Sequence, residues 1–245
     1  MTKTIYLSGY PKSGCTWSTR LLADVLNSPA GGCMQKEDRR EVATEGLDRP
    51  GDYIVRKGHF VPIEDDTGPV VPVVHRLAYK MITDEKLVFI VRDPRDICIS
   101  GAHHWRTTPE AFMDRMIRGD VAGCGRWDIY VERWLSIITD LVVSIPGSVA
   151  ALTYEQLLKE REARIVATLL YLNIPDIPIK HISEAFERQS FESRAKIVED
   201  NGDTLRRNNL RLGVAGEWVK YLSGKTNDKV WSEFGEVMQR IGYKK

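Results

Sequence analysis

Residues Thr4 to Leu26 (TIYLSGYPKSGCTWSTRLLADVL) limit the folds open to this chain more than any other stretch. Ile5, Tyr6 and Leu7 form an uncharged, β-prone run of the kind found in buried parallel strands. Gly9, Pro11, Lys12, Ser13 and Gly14 then punctuate a tight loop. From Thr16 onward, Trp17, Leu21, Leu22, Val25 and Leu26 recur at helical spacing. A glycine loop that feeds a helix start presents unpaired backbone N–H groups, and the helix dipole adds positive potential there. Phosphate or sulfate is the natural guest of such a turn. The plainer alternative is an ordinary strand-to-helix turn carrying a surface lysine.

Against the pattern G-x-x-x-x-G-K-[ST], Gly9, Gly14 and Thr16 fit, but Cys15 stands where the lysine belongs. The loop's own lysine is Lys12. A nucleoside triphosphatase needs its lysine on the β- and γ-phosphates, with a metal beside it. The sequence therefore predicts a phosphate cradle that does not handle ATP in the usual way.

Asn27 to Asp52 reads as a loop or loosely helical excursion, and Asp52 to Lys57 as a second strand stopped by Gly58. Val70 to Val74 is interrupted by Pro72, so it is no central strand, and Leu77 to Ile82 could form a short helix. Leu87 to Val91 is the most apolar strand; it runs into Asp93-Pro94, a cap followed by a first-turn proline. The helix from Pro94 extends toward Trp105. Further helices cover Pro109 to Ile117 and Trp127 to Ser144. A strand at Ser148 to Leu152 precedes a helical run from Tyr154 to Leu172. Gln189 to Leu212 looks irregular and charged, and Asn227 to Ile241 closes the chain as an amphipathic helix. Strands alternating with helices predict an α/β fold: a single P-loop-type domain over residues 1–245, with a central parallel β-sheet flanked by helices.

A formal net charge of +1 argues against binding nucleic acid through bulk electrostatics, so any basic site must be local. Cys15, Cys33, Cys98 and Cys124 lack C-x-x-C spacing, which points to neither zinc nor a redox pair. No apolar run approaches the roughly 20 residues that cross a bilayer, and the N-terminus does not read as a signal peptide. The expectation is a cytoplasmic protein without a membrane or nucleic-acid partner.

In open α/β sheets ligands bind beyond the carboxyl ends of the strands. Those ends are Gly9–Lys12, Lys57–His59, Arg92–Asp93 and Tyr154. Positions 57 and 59 share a side of the strand, Gly58 admits close approach, and His59 could take a proton near neutral pH. Arg92 and Ser100, on the following helix, could share one anion. Arg92-Asp93-Pro94-Arg95-Asp96 could equally be a local salt-bridge knot.

YPKSGCTW (Tyr10 to Trp17), RDPRDICIS (Arg92 to Ser100) and RLGVAGEW (Arg211 to Trp218) resemble the nucleotide-binding signatures of the cytosolic-type sulfotransferases. They occur in the right order. KGH (Lys57 to His59) resembles that family's lysine and catalytic-histidine segment, and Thr153-Tyr154-Glu155 its adenine-side tyrosine. The resemblance spans about residues 4 to 222. It implies 3′-phosphoadenosine 5′-phosphosulfate as donor, adenosine 3′,5′-bisphosphate as product, no metal and a small-molecule acceptor. Lys12, Ser13, Gly14, Cys15, Thr16 and Trp17 match the loop around the phosphosulfate, with Trp17 beside adenine. Arg92, Ser100, Arg211 and Gly213, with Leu212 between, match the clamp on the 3′-phosphate. Lys12, Lys57 and His59 match the catalytic set.

Three departures stand out. Cys15-Thr16 replaces the family's Thr-Thr, with loss of one hydroxyl. Arg211-Leu212-Gly213 replaces Arg-Lys-Gly, with loss of one positive charge, so weaker hold on the 3′-phosphate is expected. Gly216-Glu217-Trp218 replaces Gly-Asp-Trp. The family's dimer signature is not recognisable in Val219 to Asp228, which leaves the oligomeric state open. The acceptor would meet Gly31 to Asp52, Phe60 to Gly68, His103 to Gly125 and Phe186 to Asn209. A P-loop kinase and a nucleotide-binding regulator without catalysis are the competing readings.

Overall fold

The computed structural model describes residues 3–32, 45–61, 85–200 and 213–245. The segments Val70 to Val74 and Leu77 to Ile82, and the pair Arg211 and Leu212, lie outside the described residues. Strand β1 (Lys3–Gly9) is followed by helix α1 (Cys15–Val25), β2 (Ala30–Gly32), β3 (Tyr53–Gly58) and β4 (Lys86–Val91). Then come α2 (Pro94–Trp105), α3 (Pro109–Arg118), α4 (Trp127–Ser144), β5 (Val149–Thr153) and α5 (Tyr154–Tyr171). Helices α6 (Ile179–Arg188), α7 (Phe191–Asp200), α8 (Trp218–Tyr221) and α9 (Gly224–Ile241) complete the described chain.

The five strands are parallel, in the order β2-β3-β1-β4-β5. This is the α/β architecture that the alternating pattern predicts. From β1 the chain goes to the far edge at β2, returns inward to β3 and then crosses to the other side, so the sheet has a switch point between β1 and β4. Alternation within β4 shows why its sequence is apolar throughout. Leu87, Phe89 and Val91 face one core, with Phe112, Met113, Trp127, Trp134 and Phe234 from α3, α4 and α9. Val88 and Ile90 face the other, with Leu21, Leu22, Leu157 and Ile182 from α1, α5 and α6. A strand covered on both faces has no polar side to show.

Register sets the functional edge. Ser8 lies opposite Gly58, Gly9 opposite Ile90, and Val91 opposite Thr153. The carboxyl ends of β1, β3, β4 and β5 therefore finish level, and every sequence-nominated strand end stands on one rim. Two elements differ from the sequence reading. Ala30-Gly31-Gly32 falls in a span read as loop, yet it pairs with Val55, Arg56 and Lys57; Ala and Gly carry no strand preference, so the neighbouring backbone dictates the pairing. Helix α7 occupies part of the span read as irregular, its charges lying along a mostly solvated face.

Gly101 in α2 offers a direct test of how tightly α2 and α3 meet. A Cβ there would lie 2.2 Å from the ring of Phe112, which is fully buried and cannot swing aside. Helix propensity alone favours Gly101→Ala by ~1 kcal/mol, whereas overpacking a filled core costs about 1–3 kcal/mol. The collision should dominate, and Gly101→Ala should unfold at a lower denaturant concentration than the parent. A raised midpoint would mean that the interface yields.

Candidate active site

The loop between β1 and α1 is shaped by close approach. A Cβ on Gly9 would stand 2.5 Å from the Ile90 carbonyl oxygen, so only glycine lets β1 and β4 converge here. Gly14 has φ of 87°, and a Cβ on it would also strike the Tyr154 ring at 2.6 Å. Lys12 takes a left-handed φ of 73°, a conformation that costs a non-glycine residue free energy and recurs at functional sites. The Ser13 N–H donates to the Tyr10 carbonyl at 3.0 Å and closes the turn.

Helix α1 thus begins at a residue with no side chain to cap it, and no side-chain hydrogen bond caps its first turn. Just before it, the Ser13 hydroxyl is buried and finds no hydrogen-bond partner among the described residues. A buried hydroxyl beside a helix start with no side-chain cap offers donors to which an anion can bind. Cys15 follows, fully enclosed. Burial pushes its thiol up to about 11, with Lys57 and, more weakly, Lys12 pulling the other way. The thiol is therefore neutral at ordinary pH, and both lysines lie within electrostatic reach of it.

His59 sits just past β3, whose Lys57 and Gly58 lie opposite Leu7 and Ser8 of β1. Its Nδ1 lies 2.7 Å from the Gly9 carbonyl oxygen. A carbonyl can only accept, so Nδ1 carries the hydrogen and Nε2 carries the lone pair. The next residue is held from both sides. The Phe60 N–H donates to Ser8 Oγ at 3.4 Å, and the Trp134 indole donates to the Phe60 carbonyl at 3.0 Å. The imidazole is thus held on the rim beside the loop, its Nδ1 engaged by the Gly9 carbonyl.

At the end of β4, the buried Arg92 guanidinium lies 4.4 Å over the Tyr154 ring. Its Nη1 donates to the Lys12 carbonyl at 3.2 Å and its Nη2 to the Val214 carbonyl at 3.0 Å. Nε is buried and finds no partner among the described residues. Arg92 therefore ties the β1–α1 loop to the chain that follows Gly213. The salt-bridge knot exists as well: Arg95 grips Asp93 at 2.8 Å, and Arg92 Nη2 lies 3.8 Å from Asp96 Oδ2. Burial pushes the Asp93 carboxyl up, with Arg95 holding it down in part. Ser100 lies half-buried in α2, about two turns beyond Asp93. Gly213 has a left-handed φ of 65°.

Trp17, from the first turn of α1, meets the Tyr154 ring edge to face at 5.7 Å. Its indole N–H donates to the Gln189 carbonyl at 2.8 Å. Sequence reasoning finds Trp17 and Tyr154 but not Gln189, because the contact uses only its backbone. The structure thus brings Lys12 to Trp17, Lys57, His59, Arg92 and Tyr154 to one rim. Among the described residues no group of His, Cys, Asp and Glu is arranged to hold a metal ion, and no helix is long and apolar enough to cross a membrane.

Known proteins share this fold. The chain is similar to an amine sulfotransferase from Oryctolagus cuniculus, 23% identical over 96% of this chain and 80% of that protein. It is 21% identical to sulfotransferase 1A1 from Canis lupus familiaris, over 97% of this chain and 84% of that one. Its fold matches the crystal structure of mouse sulfotransferase SULT7A1 complexed with PAP, with a TM-score of 0.71 and 22% identity over 97% and 84% of the two chains. The sulfotransferase domain family matches residues 2–242, nearly the whole length, and the chain belongs to that family.

Proposed function

We propose that the protein transfers a sulfuryl group from 3′-phosphoadenosine 5′-phosphosulfate to a hydroxyl or amine of a small-molecule acceptor. The observation that carries this reading is the buried, unpartnered Ser13 hydroxyl beside the uncapped start of α1. Family membership supports a phosphosulfate as that anion, and the mouse relative crystallised with PAP is consistent with an adenosine bisphosphate product.

The residues fit such a donor. Lys12, Ser13, Gly14, Cys15 and Thr16 would surround the 5′-phosphosulfate with backbone N–H groups and one ammonium. Trp17 and Tyr154 offer aromatic surface for the adenine. Arg92, Ser100 and Gly213, with Arg211 and Leu212, form the proposed arm for the 3′-phosphate. The donor supplies a sulfuryl group activated by its bond to phosphate. His59 would take the acceptor's proton on Nε2, the nitrogen left with a lone pair when Nδ1–H donates to Gly9. Lys12 would steady negative charge on the bridging oxygen, and Lys57 adds positive potential at the same rim. Cys15 argues against a P-loop kinase, because a buried neutral thiol occupies the position of the phosphate-gripping lysine.

Three measurements test the reading. Adenosine 3′,5′-bisphosphate should raise the melting temperature more than AMP or ATP at equal concentration, since a ligand that binds only the folded state stabilises it in proportion to affinity. Equal shifts with AMP and the bisphosphate would remove the 3′-phosphate arm. A labelled-donor screen across phenols, alcohols, amines and sugars should reveal an acceptor. With that acceptor, His59→Ala should lose about 10²–10⁴ in turnover while binding the bisphosphate as the parent does. Near-native turnover would place the base elsewhere.

A further inference from the structure

Asp96 presents an electrostatic puzzle. It lies in the first turn of α2, fully buried, with its Oδ2 at 3.8 Å from Arg92 Nη2. If Arg92 serves a phosphate, a buried carboxylate beside it works against that anion. Burying the charge is costly as well, unless hydrogen bonds compensate. Its two oxygens explain what the carboxylate gains. Oδ2 accepts the Gly216 N–H at 2.7 Å, and Oδ1 accepts the Trp218 N–H at 3.0 Å. The same short segment gives its Val214 carbonyl to Arg92 and lays the Trp218 ring 3.6 Å from the Arg95 guanidinium. Gly216, with φ of 78°, makes the bend that turns the neighbouring N–H groups inward.

Resting on the donor reading above, we infer that Asp96 is a positioning residue by which the protein tells a nucleotide bearing a 3′-phosphate from one without it. Asp96 does not touch the nucleotide. It fixes the backbone from Val214 to Trp218, and so fixes the direction in which Val214 holds the Arg92 fork. The segment contains no lysine or arginine of its own between Gly213 and Trp218. This stretch therefore contributes through where it holds its backbone and Arg92, beside the charge that Arg211 would bring to the arm. A carboxylate suits this task because both of its oxygens accept. An asparagine of the same shape accepts at one oxygen and turns a donor toward the other N–H.

The test turns on a sign. If Asp96 mattered only through its charge, Asp96→Asn would relieve repulsion and tighten the bisphosphate. If it positions the arm, the same change weakens the bisphosphate and leaves AMP, which lacks the 3′-phosphate, almost unaffected. Calorimetric titration of the parent and Asp96→Asn with adenosine 3′,5′-bisphosphate and with AMP separates the two. The expected result is a fall of about tenfold to a hundredfold in the preference for the bisphosphate, the size of effect expected from losing a buried hydrogen bond to a charged group. A parent protein with no such preference overturns the donor reading itself. A parent that prefers the bisphosphate, with Asp96→Asn equally selective or more so, overturns only the role of Asp96. A general structural weakening would lower both affinities together and would also count against it. Should Asp96→Asn not fold, amide hydrogen exchange on the parent decides: the bisphosphate should slow exchange at Gly216 and Trp218 more than AMP does. Equal slowing by both ligands overturns the inference.

Discussion

Parallel pairing in one register is the constraint on which the rest of this molecule depends. Because Ser8, Gly58, Gly9, Ile90, Val91 and Thr153 meet in adjacent rungs, residues far apart in sequence emerge at the same height. Slipping β3 by one residue against β1 would turn Lys57 to the other face and carry His59 away from the Gly9 carbonyl. The register is held by the specific packing on the two faces of β4, with Leu87, Phe89 and Val91 set into one core and Val88 and Ile90 into the other. The precision of the rim is thus inherited from the core beneath it.

Around β4 and α2 the protein buries an unusual amount of charge. Arg92, Asp93, Arg95 and Asp96 are all at most 6% exposed, and Glu155, whose carboxyl burial pushes up, accepts the Asp93 N–H. Replacing such groups with apolar ones would often be neutral or better for stability alone. Here each charge is spent on backbone: carbonyls of Lys12, Val214 and Lys244, and N–H groups of Asp93, Gly216 and Trp218. Side chains of one strand end thereby fasten loops from three distant parts of the chain, in a region where no regular ladder could do so.

The features that sequence made legible are those whose physics is local. The apolar run of β4, the glycines of the β1–α1 loop and the Asp93-Pro94 helix start all announce themselves within a few residues. Trp127 to Ser144 is helical over the very span its periodicity predicts. The missed parts depend on partners elsewhere. The strand at Ala30–Gly32 exists because Val55 to Lys57 offer it a ladder. Arg92 and Ser100 read as joint holders of one anion, whereas the guanidinium also spans two carbonyls that no motif records. Asp96 reads as one more charge in a charged pentapeptide, because its acceptors' partners are backbone groups more than a hundred residues later.

The brevity of β2 has a consequence of another kind. It forms one margin of the sheet, and a margin of open N–H and C=O groups is a template on which other chains can add and grow into aggregates. This one spans three residues, two of them glycine, and Ala30 is already bridged to Glu45 on its outer side. A visiting strand would find few free rungs and no side chains to set its alignment. The weakest strand of the sheet thus guards the longer, more apolar ones behind it from recruiting their like.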